Sequence, residues 1–213
     1  MIWRLTERKD WDSLVQQFSW VRDMDLVPQH ALHHAEGSVA VHTRMVLEAL
    51  QQQPSYLRLA EQDREILWAA ALLHDVEKRS TSVDEGNGQI TSKNHAKRGE
   101  ATVRTILYRD ISTPFGIREH IASLVRHHGL PIWLMEREDP LKRTCEASLR
   151  LNTSLLKQLA VADICGRICI LRVCKLHKIS FDESVNVSVH YSAHITCLVT
   201  RAMVFDAAIV KHV

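Results

Sequence analysis

Residues 63–76 of the chain, DREILWAAALLHDV, contain the pattern that decides its fold. Within this stretch apolar residues recur at the spacing of an α-helix, at Ile66, Leu67, Ala70, Leu73 and Val76. Most of the residues between them are also apolar, and a helix that is apolar on every side is normally buried. The stretch therefore predicts a buried helix that ends close to His74 and Asp75.

The polar pair His74 and Asp75 directly follows the apolar run AAALL. Burying an ionised carboxylate costs on the order of several kcal/mol unless it is paired or bound to a metal ion. Because Asp75 is predicted to be buried, we expect it to have such a partner.

Helical spacing also marks segments on both sides of this helix, and few prolines or glycines interrupt them. The polar stretch 82–94, which contains Gly86 and Gly88, is typical of a loop between helices, either a lid or a plain connector. An N-terminal helix is expected to begin after a cap at Asp10 or Asp12. The chain is thus predicted to be all-α, a helical bundle with helices near residues 11–18, 39–50, 63–76, 95–107, 114–126 and 146–174.

The end of the chain has a different pattern. Apolar residues alternate with polar ones between residues 185 and 192, as in a half-buried strand, and residues 195–210 are mainly apolar. We interpret this appendage as either a strand pair or a final helix. The predicted organisation is an N-terminal helix and linker (1–27), a helical domain (28–175) and a C-terminal appendage (176–213).

Composition limits the classes of protein to consider. The formal net charge of +2 gives no strong electrostatic reason to bind duplex nucleic acid or a membrane surface. The five cysteines have no regular spacing, which indicates reduced thiols rather than a secreted disulfide framework. The N-terminus lacks the pattern of a signal peptide, and the longest apolar runs are too short to span a bilayer. We expect a cytoplasmic protein with no membrane partner, and the oligomeric state is left open.

Thirteen histidines are the unusual feature of the composition. A single histidine on an apolar face is more often a core residue than a metal ligand, but here several occur in a regular order on segments predicted to be helical. Sites in helical bundles are built from inward side chains on facing helices. The ordered set that predicts a metal site is His42, His74–Asp75, His95, His127–His128 and Asp163.

In this set the chain resembles the HD superfamily of metal-dependent phosphohydrolases, over roughly residues 28 to 170. The segment around Asp163 is similar to the HD region attached to CCA-adding tRNA nucleotidyltransferases, and the segment around His95 is similar to that of cyclic-dinucleotide phosphodiesterases. The resemblance implies that residues 28–175 form an HD hydrolase domain. The segments that carry it are VHTRMVL around His42, LLHDVEK around His74, NHAKRGEATV around His95, VRHHGLP around His127 and AVADICGR around Asp163.

The resemblance implies one or two divalent metal ions, among Mn, Fe, Ni, Co, Zn and Mg. It implies that Asp75 bridges two metals. The other ligands of the first metal would be His42, His74 and Asp163, and those of the second His95, His127 and His128. With Asp75, the catalytic residues would be Lys78 and Arg167, and the cations that bind substrate would be Lys97, Arg98 and Arg126.

The chain also departs from the family pattern. Glu77 stands where the family usually has a glycine before Lys78, and Ser38 stands where some trinuclear relatives have a glutamate. The GYP segment of cyclic-dinucleotide enzymes is absent after His128. Three metals are therefore not expected, and His33–His34 is interpreted as an exposed pair rather than an addition to the site.

The activity that the resemblance implies is hydrolysis of a phosphoester in a nucleotide or another small molecule, RNA ends included, through metal-bound hydroxide. Two alternatives share the same ligands. One is a non-catalytic, metal-bound regulatory module that binds nucleotide, and the other is an HD-type oxygenase with a di-iron centre.

Overall fold

The computed structural model describes residues 1–168. The predicted appendage 176–213 and the end of the predicted helix 146–174 lie outside the described residues. Within residues 1–168 the protein is mainly helical, which confirms the predicted fold class. None of the helices in this range combines the length and the apolar character that crossing a membrane requires.

Eleven α-helices, two short strands and two 3₁₀ helices follow one another in the described part of the chain. The helices are α1 (Trp11–Gln17), α2 (Ser19–Asp23), α3 (Val39–Gln51), α4 (Pro54–Leu57), α5 (Glu61–Leu73), α6 (Lys78–Thr81), α7 (His95–Arg109), α8 (Phe115–His127), α9 (Leu130–Trp133), α10 (Pro140–Ser148) and α11 (Thr153–Cys165). The strands are β1 (Ser82–Asp84) and β2 (Ile90–Ser92), and the 3₁₀ helices are Met24–Leu26 and Leu134–Glu136.

Helix α5 lies at the centre of the bundle, as its apolar sequence predicts. It packs against α3, α8 and α11, while α7 packs on the outer side of α8. Every residue from Ile66 to Leu73 is buried. The same core includes Leu14, Trp20 and Met24, which come from the segment predicted as an N-terminal helix and linker.

Side-chain caps explain where several helices begin. The Asp10 carboxylate accepts a hydrogen bond from Ser13 N at 2.9 Å, so Asp10 rather than Asp12 caps α1. Ser38 caps α3 by accepting from Val41 N at 3.3 Å. The position at which trinuclear relatives have a glutamate therefore serves here to start the helix that carries His42.

Residues 82–94 are not entirely a loop, because β1 and β2 pair in an antiparallel hairpin within them. Asn87 (φ 54°) and Gly88 (φ 74°) at its tip take the left-handed conformation, and Asp84 Oδ1 accepts from Gly86 N at 2.8 Å. Each strand has only three residues, which is too short for an alternating pattern to be visible in the sequence.

The single helix predicted over 146–174 is wrong, because α10 ends at Ser148 and α11 begins at Thr153. Asn152 begins the new helix by accepting a hydrogen bond from Ser154 N at 2.9 Å. In the connector between the two helices Leu151 is buried while Leu149 is exposed, so these leucines do not continue one buried helix face.

Candidate metal centre

The ends of several helices converge on one buried position. His74 and Asp75 come directly after α5, His95 is the first residue of α7, and His128 directly follows α8. His42 lies in the first turns of α3. Because each helix ends or begins at this position, side chains that are distant in sequence meet there.

Asp75 joins two groups of side chains that could each hold a metal ion. One group is His42, His74 and Asp75, the other is Asp75, His95 and His128, and the ligand atoms of each lie within 4.8 Å of one another. Oδ2 of Asp75 lies 3.3 Å from His74 Nε2, and Oδ1 lies 3.3 Å from His95 Nε2. The carboxylate therefore presents one oxygen to each group.

The imidazoles all present the same nitrogen to Asp75. Each Nδ1 lies close to a backbone carbonyl, which can only accept, so Nδ1 carries the hydrogen and Nε2 is left with its lone pair. The Nδ1 contacts are His42 with Gly166 O (3.1 Å), His74 with Ala71 O (2.7 Å), His95 with Ser92 O (2.8 Å) and His128 with Val125 O (2.8 Å).

This arrangement turns a set of hydrogen-bond acceptors toward one another. The Nε2 atoms of His95 and His128 lie 3.3 Å apart. Among the described residues, the buried atoms His42 Nε2, His74 Nε2 and Asp75 Oδ1 make no hydrogen bond. Buried acceptors without a donor are costly, and a cation between them removes that cost. Imidazole nitrogens and carboxylate oxygens are a ligand set that suits a divalent transition metal, so the residues present fit one.

The charges of the cluster alter the pKa values of its members. Burial acts to raise the pKa of Asp75, but the Lys78 ammonium and the His74 imidazole hold it well below its usual range. Burial acts to lower the pKa of His74, but the Asp75 and Asp163 carboxylates raise it above 6.5. A metal ion at His74 must therefore compete with a proton for Nε2.

Asp163 lies beside the first group of ligands. Its Oδ1 is 3.2 Å from His42 Nε2 and accepts a hydrogen bond from Arg167 Nη2 at 2.6 Å. Burial acts to raise the pKa of Asp163, but the Arg167 guanidinium keeps it well below its usual range. The structure thus brings two residues of the AVADICGR segment to the cluster.

Lys78 is buried and contacts the centre through Asp75. Its Nζ lies 2.7 Å from Asp75 Oδ2 and donates to Gln29 Oε1 at 2.5 Å. The preceding residue, Glu77, has an ordinary backbone conformation (φ −94°, ψ 2°), so no glycine is needed there. The Glu77 carboxylate accepts from Thr102 Oγ1 at 2.6 Å and from Ser80, which ties this turn to α7.

Other predicted site residues are not brought into either group. His127 is half-buried and places Nδ1 2.8 Å from Ser123 O. Adjacent residues on a helix point about 100° apart, so His128 faces the centre and His127 does not. Lys97 and Arg98 are exposed on the first turns of α7, and Arg126 Nε lies 3.6 Å from Glu100 Oε2.

Three residues of the site were not predicted as such. Gln29 contacts Lys78, and Glu36 and His34 contact His42 or one another. His33 is exposed as expected, but His34 is buried, so the interpretation of the pair as exposed is wrong for His34. The only sequence signal was a histidine two residues before a glutamate, HAE, in a segment without periodic pattern.

The metal-free protein is expected to lose stability as the pH falls from 7.5 to 5. Burial lowers the pKa of His34 to about 4 and that of His128 to about 3, from 6.5, so both stay neutral when folded. Below pH 6.5 the unfolded chain binds these protons and the folded chain does not, which favours unfolding by up to ~1.4 kcal/mol per pH unit for each histidine. His74, with its raised pKa, opposes this change only above pH 6.5, because below that pH it is protonated in both the folded and the unfolded chain.

Urea unfolding in EDTA over this pH range measures the effect. A midpoint that stays constant or rises as the pH falls would contradict the assignment of His34 and His128 as neutral buried groups.

Comparison with protein families identifies a known domain in the chain. The family model of the HD domain matches residues 39–168, which is more than half of the chain and includes all of its predicted ligands. A search of the curated proteins finds no significant match.

Proposed function

The chain belongs to the HD domain family, and from that premise we propose that it is a metal-dependent phosphohydrolase. Its substrate would be a phosphoester of a nucleotide or of an RNA end. The observation that carries the proposal is the convergence of histidine Nε2 atoms on a buried Asp75 whose Oδ1 makes no hydrogen bond. Buried acceptor atoms that face one another without a donor favour a cation between them, and two such groups share the Asp75 carboxylate.

Two divalent ions in such groups would supply hydroxide from a bound water near neutral pH and neutralise charge on the phosphoryl oxygens. The role of the protein is to hold the ligands. Asp75 would contact both ions, with His42, His74 and Asp163 on one side. The other side would have His95 and His128, and this geometry gives no ligand role to His127.

Lys78 and Arg167 are proposed to act at the carboxylate ligands. Lys78 fixes one oxygen of Asp75, and Arg167 fixes one oxygen of Asp163. An ammonium has three N–H donors, and two of those of Lys78 face Asp75 and Gln29. The third is proposed to donate to a phosphoryl oxygen of the substrate.

The substrate class rests on cations near the centre. Lys97 and Arg98 are exposed two and three residues after His95, where they could contact phosphates beyond the scissile one. Arg126 already lies near Glu100, so its proposed contact with substrate would require it to leave that carboxylate. The resemblance of AVADICGR to the HD regions of CCA-adding enzymes is the reason for including an RNA end beside a nucleotide among the proposed substrates.

The test, with metal-stripped protein, is release of phosphate from nucleotides and 2′-phosphates and opening of 2′,3′-cyclic phosphates to monoesters. The protein is resupplied in turn with Mn, Fe, Ni, Co, Zn or Mg. Metal-dependent turnover of at least one substrate is the expected result, and the order of rates identifies the substrate class.

Either of two results would contradict the proposed phosphohydrolase activity and indicate a different function. Tight metal and nucleotide binding without turnover would replace the proposal with a regulatory binding module. Iron-dependent oxygen consumption without hydrolysis of any phosphoester would replace it with a di-iron oxygenase.

A further inference from the structure

Glu36 has a fully buried carboxylate between two histidines. Its side chain is 0% exposed, and Oε1 lies 2.8 Å from His34 Nδ1 and 2.9 Å from His42 Nδ1. Its other oxygen accepts a hydrogen bond from the backbone N–H of Ile168 at 2.9 Å. The two oxygens thus have separate partners, one pair of imidazoles and one backbone group.

The ring of His42 connects this carboxylate to the candidate metal centre. Its Nδ1 faces Glu36, and its Nε2 faces Asp163 and Asp75 at 3.2 and 3.8 Å. Both neighbours of Nδ1, the Glu36 carboxylate at 2.9 Å and Gly166 O at 3.1 Å, can only accept hydrogen bonds, so Nδ1 carries the hydrogen and the lone pair of Nε2 points into the centre.

The ionised state of Glu36 is itself supported by its contacts. Burial acts to raise the pKa of Glu36, but hydrogen bonds from His34 and His42 hold it well below its ordinary value. His34 is also buried, and its Nδ1 approaches the same oxygen, so it fixes the position of that oxygen. The charge of Glu36 therefore lies on the far side of the His42 ring from the centre.

We propose that Glu36 is a positioning residue of the metal centre, which holds the His42 ring in place and strengthens its Nε2 as a metal ligand. A carboxylate behind a ligating imidazole fixes the tautomer, orients the ring and makes the ligand more basic. This inference rests on the proposed metal-dependent function. It adds a residue that lies outside the segment matched by the HD family, which begins at residue 39.

Glu36 also has a structural contact that the test must separate from this role. The segment around it is held to the residues just after α11 by Ala35 N donating to Ile168 O at 2.8 Å, in addition to the Ile168 N–H bond. A purely structural role would therefore change the stability of the protein and leave the affinity for metal of the folded protein unchanged.

The first experiment measures the dissociation constant of Co²⁺ by titration calorimetry for the wild type and for Glu36→Gln. Loss of a carboxylate behind a ligating histidine typically weakens metal binding by about 10- to 100-fold, and that is the expected change. Glu65→Gln is the matched control. Glu65 is also buried and its carboxylate pairs with the ammonium of Lys9, but it lies on α5 nine residues before His74. It is expected to bind Co²⁺ as the wild type does.

The second measurement uses the metal-free protein and observes the Nδ1–H proton of His42 by NMR. A hydrogen bond to a carboxylate is shorter and stronger than one to a neutral amide. The resonance is therefore expected far downfield in the wild type and in Glu65→Gln, and shifted upfield in Glu36→Gln. A change in folding stability alone does not shift this resonance in the folded protein.

The outcomes separate the two proposals. If the wild type binds Co²⁺ and Glu36→Gln binds it equally well with an unchanged His42 resonance, the role of Glu36 is overturned and the proposed function stands. If the wild type binds no metal while the resonance shifts as expected, the proposed function fails and Glu36 is shown to hold His42 for another purpose, which overturns its role toward metal.

Discussion

Asp75→Asn is expected to remove metal from both groups and to reduce kcat/KM for the best substrate by about a thousandfold or more. Asp75 contributes an oxygen to each group, so its loss affects two sites at once. Lewis-acid stabilisation worth several kcal/mol corresponds to about three powers of ten in rate. Metal content of the purified protein and steady-state kinetics measure the two effects.

The Asn variant is preferable to Ala because it keeps the shape of the side chain. It does leave the buried ammonium of Lys78 without its carboxylate, so a thermal unfolding curve must show that the variant is folded at the assay temperature. Asp12→Asn, an exposed carboxylate on α1, serves as the control and is expected to behave as the wild type. A folded Asp75→Asn protein with normal metal content would refute the bridging role.

Gly166→Ala is expected to destabilise the protein by about 3 kcal/mol, which lowers the melting temperature of a chain of this size by about 6–12 °C. A Cβ at residue 166 would lie 2.5 Å from Val46 N and 2.7 Å from Val46 Cα. Both contacts are with backbone, so no side chain can rotate away. Helices α11 and α3 would have to separate, and with them Asp163 and His42.

The same substitution should weaken metal binding, because Gly166 O is also 3.1 Å from His42 Nδ1. Gly116→Ala is the matched control. Gly116 lies in α8, a Cβ there would meet nothing within 4 Å, and alanine is favoured in a helix, so that variant is expected to be slightly stabilised. A melting temperature of Gly166→Ala equal to that of the wild type would show that the close approach of α11 and α3 is not required.

Sequence patterns predicted the elements whose burial repeats with the helical period. The run before His74 identified α5, and the ordered histidines, read through the family resemblance, identified side chains that the structure brings around Asp75. Sequence patterns did not predict that His128 rather than His127 faces the site. Which of two adjacent residues faces the core depends on how α8 is rotated about its own axis, and the sequence does not give that rotation.

The residues that were missed act through contacts that no local pattern encodes. Glu36 lies in a segment without periodicity, and its partner Ile168 is 132 residues away in the chain. Gln29 meets Lys78 across 49 residues. The break between α10 and α11 was missed for a related reason, since the leucines on both sides of it continue to look like one apolar stripe.

The backbone carbonyls that receive the Nδ1–H groups have an entropic consequence. His74, His95 and His128 are each anchored to a carbonyl three residues earlier in the chain, so folding alone already selects their rotamers. Immobilising a mobile side chain at a binding site costs about 0.5–1.5 kcal/mol. For these three rings the entropic cost is part of the free energy of folding. The positions of the ligand atoms are therefore fixed before a metal ion binds.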